Sequence, residues 1–373
     1  MIIYNFRFFF LLFISAFLFL THLPDNAFAN EPIIYPANNW VEKSPESQGI
    51  DPVKLQEAMD YLKSNCDSEY GIKSVAIICN GYLIYKGESS KAQRSVFSVT
   101  KSFTSTIAGL LIDQGKLKLE TQAKDIEPLL VEKYPDVTIR HFLTMASGYS
   151  AVGDSPWPNF KIDDCSLTPF HPDKPLFTPG TKYCYYDEAM MMFGRVLTRV
   201  CGQSLTDYLQ SNILTPIGID SSWSWNEKRG LLNQIPIDNG SCYISMSAEQ
   251  LARFGYLFLN NGKWGEKQLI SKDWVEQATK NQVPNTIPLM ETKRIIDGRG
   301  EYGFNWWVNG TNKDGQKSFP NAPDGTYYAS GANNNQCFVV PEWKMVIVRL
   351  GDYDYKQEPS WDKFFELLAQ SRK

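Results

Sequence analysis

A hydroxyl and an amine stand three residues apart in Val96-Phe97-Ser98-Val99-Thr100-Lys101-Ser102-Phe103, at the start of a run that reads as a helix to about Gln114. On a helix, Ser98 and Lys101 share one face, with Cβ atoms about 5–6 Å apart. A serine hydroxyl becomes a useful nucleophile when a neighbouring base takes its proton, and a lysine can be that base if its ammonium is destabilised. The positive end of a helix macrodipole and burial both push in that direction. The spacing alone is a loose signal, since about one or two Ser-x-x-Lys matches arise from composition in a chain this long. Ser360-Trp361-Asp362-Lys363 is such a match, but Pro359 and the apolar residues after it make Ser360 the cap of an amphipathic terminal helix. Around Ser98, by contrast, Ser102, Thr104, Ser105, Ala108 and Gly109 are small residues that let a helix pack closely inside a core.

The elements that must position this pair follow from periodicity and punctuation. Residues 51–66 carry a first-turn proline and helical spacing; 74–79 and 82–85 read as two strands joined at Asn80-Gly81, a strong hairpin signal. Residues 137–147 read as a helix ending at Gly148, and 186–200, 205–214, 248–259 and 271–280 as further helices. Residues 150–180 are rich in proline and aromatics without periodicity, the texture of a long loop that lines a site. Strand patterns return at 304–308, 326–329, 337–340 and 345–350, followed by a helix over 361–370. Strands at both ends around a helical middle predict an α/β protein: residues 30–97 and 290–373 form one discontinuous α/β part, and 98–289 a mainly helical subdomain.

The net charge of −4 and the lack of like-charge blocks give no reason to expect nucleic acid or an anionic membrane as a partner. Residues 1–29 have the layout of a cleavable signal peptide: Arg7, an apolar run over 8–20 broken only by Ser15, and Ala27-Phe28-Ala29 as a cleavage site after Ala29. The apolar run is short for a membrane span, so a periplasmic or secreted chain without a stable membrane anchor is expected. Seven cysteines leave at least one thiol unpaired if disulfides form, and their pairing stays open. Cys79 and Cys337 lie in apolar strand patterns and are expected as buried thiols. No C-x-x-C, H-E-x-x-H, P-loop or G-x-S-x-G spacing occurs, so neither a metal nor a cofactor is called for. Gly298-Arg299-Gly300-Glu301-Tyr302-Gly303 matches a dinucleotide fingerprint but precedes a strand instead of opening a helix. Beyond residue 29 the histidines are His141, expected in a core helix, and His171, in the long loop through which alone a Ser-His-Asp triad could be built.

Pro179-Gly180-Thr181-Lys182-Tyr183-Cys184-Tyr185-Tyr186-Asp187 resembles the P-G-T-x-F-x-Y-S-N signature of class C β-lactamases and of related esterases, D-aminopeptidases and DD-peptidases. Ser98–Lys101 is similar to the S-x-x-K of the same penicillin-recognising serine hydrolases, and Leu143-Thr144-Met145-Ala146-Ser147-Gly148 to their L-x-T-x-S-G. The resemblance implies a β-lactamase/transpeptidase-like fold, an antiparallel sheet flanked by helices plus a helical subdomain. It makes Ser98 the nucleophile, Lys101 its partner and Tyr185 the second base; without it, Tyr185 reads first as one of several tyrosines packed in a core. The family's third motif, K-T-G or H-x-G, falls on Ala329-Ser330-Gly331. By the same resemblance the oxyanion hole would be the backbone N–H groups of Ser98 and Ala332, with Gly331 and Asn333 beside the substrate.

Two departures shape the expected function. Asp187 stands where the family has asparagine, and an ionised carboxylate near Lys101 favours the charged lysine and shifts the base role toward Tyr185, unless it is protonated or turned away. Ala329 replaces the family's cation, which argues against penicillins and is similar to 6-aminohexanoate-dimer hydrolases and some carboxylesterases. The expectation is an exported serine hydrolase that cleaves small esters, amides or peptide-like substrates through an acyl-enzyme on Ser98. A DD-peptidase or weak class C-type β-lactamase is the alternative within the fold. A non-catalytic relative that binds peptidoglycan or a partner, silenced by Asp187, is the alternative outside it.

Overall fold

The structure is a computed structural model and describes residues 33–66, 72–152, 168–291, 296–351 and 359–373. The expected signal segment and the middle of the 150–180 loop lie outside the described residues. Residues from Ile34 onward form one compact unit.

Its centre is a six-stranded antiparallel sheet in the order Trp307–Val308, Tyr327–Gly331, Asn335–Val340, Met345–Arg349, Val75–Cys79, Tyr82–Lys86. The two ends of the chain meet where Val75–Cys79 pairs with Met345–Arg349, from Val75 opposite Arg349 to Cys79 opposite Met345. These central strands are buried on both faces, which is why they read as continuous apolar runs. The hairpin turn is as expected: Asn80 and Gly81 both have positive φ, 51° and 85°, as a two-residue turn matched to strand twist requires. Alternate residues separate two cores. Ile77, Phe338, Val340 and Ile347 face the helices Pro52–Asn65 and Trp361–Gln370, while Ala76, Ile78, Val339 and Val348 face Thr100–Asp113 and Ala248–Leu259. Cys79 and Cys337 are buried in these faces as free thiols.

Ser360 accepts a hydrogen bond from the Lys363 N–H at 3.2 Å, and Lys363 pairs with Glu366 at the surface. The second Ser-x-x-Lys match is therefore a helix cap. The helix expected over 137–147 shrinks to Ile139–Leu143. Met145 turns left-handed at φ 55°, and its carbonyl accepts the Cys184 N–H while that of Ala146 accepts Gly180. Tertiary hydrogen bonds to the 180–184 segment thus replace further helical turns. The expected 205–214 helix splits into Leu205–Leu209 and a π-turn, Gln210–Leu214. Several short strands were not anticipated: Arg94–Ser95, Ser224–Trp225 and Ile244–Met246 form a small sheet, and Lys228–Leu232 pairs with Ile235–Asp238. Among the described residues no helix is long and apolar enough to cross a membrane.

The helix Asp187–Cys201, closed by Gly202 in the left-handed conformation, is anchored by a buried acid. Glu127 is fully buried and accepts hydrogen bonds from Arg195 Nε at 2.9 Å and Arg199 Nε at 2.6 Å. Removing one member of a buried ion network leaves the others uncompensated, at about 3–5 kcal/mol. Glu127→Ala is therefore expected to lower unfolding free energy by about that amount in urea titration. A loss within the error of the titration would show that the two arginines resolvate freely.

Candidate active site

The strand Arg94–Ser95 ends at Val96, whose N–H bonds to the Ile244 carbonyl at 2.9 Å. Phe97 then takes φ 48°, an uncommon conformation for a side-chain-bearing residue. This kink starts a single 3₁₀ turn, Phe97–Val99, that carries Ser98 into the helix Thr100–Asp113. The helix is buried nearly all round, and its small residues are the reason. Ser102 Oγ donates to Asn305 O, Thr104 Oγ1 donates to Gly240 O, and a Cβ on Gly109 would lie 2.4 Å from the Trp274 indole.

Lys101 is 1 % exposed and spends its ammonium protons on three acceptors: Ser98 Oγ at 2.9 Å, Asp187 Oδ1 at 2.5 Å and Ser241 O at 3.1 Å. Burial, the largest single influence, would pull its pKa down, but the Asp187 carboxylate together with Tyr185 and Cys242 outweighs it and holds the ammonium well above the ordinary lysine range. Asp187 opens the Asp187–Cys201 helix, where the macrodipole favours negative charge. Of the two conditions left open by the sequence, the orientation is thereby decided: the carboxylate is turned toward the lysine.

Tyr185 lies across Lys101, its ring centroid 4.8 Å from Nζ, and its hydroxyl is within hydrogen-bonding reach of Ser98. Burial raises the phenol pKa, Lys101 opposes that rise, and Asp187 adds to it. The ring is fixed by Trp307, stacked at 5.9 Å, and by Tyr302, edge-on at 6.1 Å. Gly298 of the false dinucleotide motif has a packing role behind this cluster, since a Cβ there would lie 2.4 Å from the Tyr183 hydroxyl.

The strand Tyr327–Gly331 passes beside the nucleophile. A Cβ on Gly331 would sit 2.3 Å from Val96 O and 3.1 Å from Ser98 N, so glycine is required by close approach. Ala329 is fully buried on the helix-facing side of that strand, opposite Cys337, and supplies no charge. Ala332 begins the hairpin turn, and its carbonyl accepts Asn335 Nδ2 at 2.7 Å. Asn333 follows at φ 64°, its carbonyl held by Arg349 Nη1 at 2.8 Å and its own Oδ1 buried without a partner. Ser98, Lys101, Tyr185 and Asp187 are thus brought into one contact network, with Gly331 against the Ser98 backbone and Ala332 and Asn333 on the adjoining turn. His171 is exposed and His141 caps its own short helix, accepting the Thr138 N–H; neither contacts Ser98.

Two participants were missed. The Ser241 carbonyl is the third acceptor for Lys101, and the Cys242 thiol reaches Ser98 and is pushed up to about 11, mainly by burial and by Asp187. They are held by Asn239 Oδ1, which accepts both the N–H and Oγ of Ser241, and by a glycine contact: a Cβ on Gly240 would meet Met190 O at 2.4 Å. The run Asp238-Asn239-Gly240-Ser241 signals a turn in the sequence, but nothing local ties that turn to Ser98. Among the described residues no group of three or more His, Cys, Asp or Glu side chains is placed to hold a metal ion.

The model of the Beta-lactamase family matches residues 94–368. A β-lactamase of Pseudomonas fluorescens is 26% identical over 159 residues, which is 39% of this chain and 44% of the relative, so the match spans under half of that protein. Among solved structures, EstCE1, a hydrolase with promiscuous acyltransferase activity, superposes with a TM-score of 0.64 at 17% identity, over 86% of this chain and 98% of that one. A Bacillus anthracis protein provisionally named a 6-aminohexanoate-dimer hydrolase superposes with a TM-score of 0.61 at 18% identity, over 84% of this chain and 80% of that one. At these identities the structural matches establish the fold, an α/β arrangement of the β-lactamase-like kind.

The close approach at Gly331 makes a direct prediction. Gly331→Ala is expected to cost about 1–3 kcal/mol by overpacking and, because the strain falls on Val96 and Ser98, to reduce hydrolytic turnover beyond the loss of folded protein. Unchanged turnover per folded molecule would show that the strand edge is not coupled to Ser98.

Proposed function

The chain belongs to the Beta-lactamase family of serine hydrolases, and from that premise we propose that Ser98 attacks the carbonyl of a small ester or amide to form an acyl-enzyme. The observation that carries this reading is the convergence of Lys101 and Tyr185 on Ser98 Oγ. As an ammonium, Lys101 donates to Ser98 Oγ, which leaves the serine proton to be given to Tyr185. The phenolate form of Tyr185, stabilised by the Lys101 ammonium, is the general base of acylation: it takes the serine proton, and the phenol so formed returns that proton to the leaving group. The backbone N–H groups of Ser98 and Ala332 receive the oxyanion. Water activated by Tyr185, whose phenolate the Lys101 ammonium stabilises, completes the reaction. Ala329 supports neutral esters and linear amides over β-lactams, whose carboxylate would find no cation on this strand.

Residues 1–29 support export to the periplasm or beyond, with cleavage after Ala29. A second reading has its own observation: the 2.5 Å Asp187–Lys101 pair could hold the site in a silent state, leaving a binding protein.

Treatment of the folded protein with a fluorophosphonate, read by intact mass, is expected to add one label to the wild type and none to Ser98→Ala. An unlabelled wild type would favour the silent state. On a panel of p-nitrophenyl esters and nitrocefin, the esters are expected to turn over faster; dominant nitrocefin turnover would point to a β-lactamase. The pH–rate profile tests the division of labour. Asp187 raises the proton affinity of both Lys101 and Tyr185, so activity should climb toward alkaline pH as the pair loses its proton. Asp187→Asn removes that contribution and should move the acidic limb to lower pH. A limb that stays in place would mean that Asp187 does not govern the proton.

A further inference from the structure

Asp187 opens the helix Asp187–Cys201, and Arg199, in its last turn, lies about 18 Å away along the axis. Two guanidiniums at that far end serve one acid. Arg195 donates Nε to Glu127 Oε2 at 2.9 Å; Arg199 donates Nε to the same oxygen at 2.6 Å and Nη2 to Oε1 at 3.4 Å. Among the described residues, both Nη groups of Arg195 and Nη1 of Arg199 have no hydrogen-bond partner. Glu127 neutralises one arginine and leaves the charge of the other. The helix C-terminus offsets about half of that charge, so the balance stays positive. Beside Arg199 the surface opens into a cavity of about 370 Å³, within the size range of small-ligand sites, bordered by the hairpin of Lys228–Leu232 and Ile235–Asp238. Ile126, Val200, Leu232 and Ile235 form its apolar wall, Arg199 and Asn233 supply polar groups, and no described acid lines it. Leu231, on the same hairpin, is 60 % exposed and extends the apolar surface. The hairpin's own cations are already paired, Lys228 with Asp238 and Arg229 with Glu227.

We propose that this cavity binds a small amphiphilic carboxylate, with its anionic head against Arg199 and its hydrocarbon tail along the apolar wall. Charge complementarity selects the occupant. A planar guanidinium edge with free N–H groups matches a carboxylate, and a residual charge of one or less suits a monoanion better than a phosphate dianion. A head alone would leave Ile126, Val200 and Ile235 partly exposed, whereas a tail removes that surface from water. Asn233, at φ 49° in the hairpin turn, adds an amide donor to the rim. The site is separate from Ser98 and does not depend on the acyl-enzyme reading: its ligand is bound, not converted.

Isothermal titration calorimetry of the full chain with octanoate tests the proposal, against acetate, octanol and octyltrimethylammonium. Octanoate is expected to bind one per chain and to lose affinity as salt rises. Acetate lacks the tail and octanol the charge, so each should bind at least about tenfold more weakly, and the cation weakest of all. Arg199→Gln removes the partner of the head and should weaken octanoate by about tenfold or more. Because Arg199 also holds the buried Glu127, a second variant avoids that network. Asn233→Asp places a carboxylate on an exposed turn, where it repels the head; it should weaken octanoate several-fold and leave octanol unchanged. No octanoate binding, or binding that either folded variant leaves unchanged, overturns the proposal. Equal affinity for octanol or octyltrimethylammonium overturns the ionic head, and equal affinity for acetate overturns the apolar wall. Capture by phosphatidylglycerol vesicles without octanoate binding overturns the proposal in favour of a membrane contact.

Discussion

A buried ammonium has to be compensated, and much of this molecule can be understood from how Lys101 meets that demand. An isolated charge in a protein interior costs several kcal/mol even after relaxation. Lys101 avoids that cost with a carboxylate, a backbone carbonyl and a serine hydroxyl, one for each of its protons. Each acceptor comes from a different part of the chain. The Phe97–Val99 turn brings the hydroxyl, the first residue of the Asp187–Cys201 helix the carboxylate, and the clamped 239–242 turn the carbonyl. Satisfying one amine thus fixes three segments against one another.

The same compensation redistributes the chemistry. In the S-x-x-K arrangement a neutral lysine is an obvious acceptor for the serine proton, but a lysine held by an acid at 2.5 Å is a donor instead. Its contribution becomes electrostatic. It orients Ser98 Oγ by donating to it and lies over the Tyr185 ring, where it favours the phenolate. The aromatic packing of Tyr302 and Trp307 keeps that phenol in place without competing for its proton. The sheet contributes the remaining boundary. The absence of a side chain at Gly331 allows its strand to approach the Ser98 backbone, and Ala329, buried in the same strand, adds no charge.

The parts of this arrangement that could be seen in the sequence are those with short-range signatures. Ser98 and Lys101 lie one turn apart, so their proximity follows from helical geometry. The Asn80-Gly81 hairpin and the apolar central strands follow from turn chemistry and two-sided burial. The capped helix at Ser360 was likewise separable from the nucleophilic match by what flanks it. Other features depend on tertiary partners. The helix around His141 stops at Leu143 because the 180–184 segment takes the hydrogen bonds of Met145 and Ala146. The two-residue strands are too short for any periodicity. The Ser241 carbonyl could not be singled out because every residue has one, and the direction in which Asp187 turns is a fact of three-dimensional packing. Cys242 carried no signal beyond its own identity.

The central claim is that Lys101 is an ammonium throughout the working pH range and that Tyr185 is therefore the base. The protonation state of Lys101 can be followed directly by NMR in protein carrying ¹³Cε-labelled lysine, with Lys101→Arg to assign the resonance. The account predicts that the Lys101 signal keeps its protonated shift up to about pH 10, where ordinary lysines are already titrating. A signal that titrates near neutral pH would contradict it, and would return the role of base to the lysine.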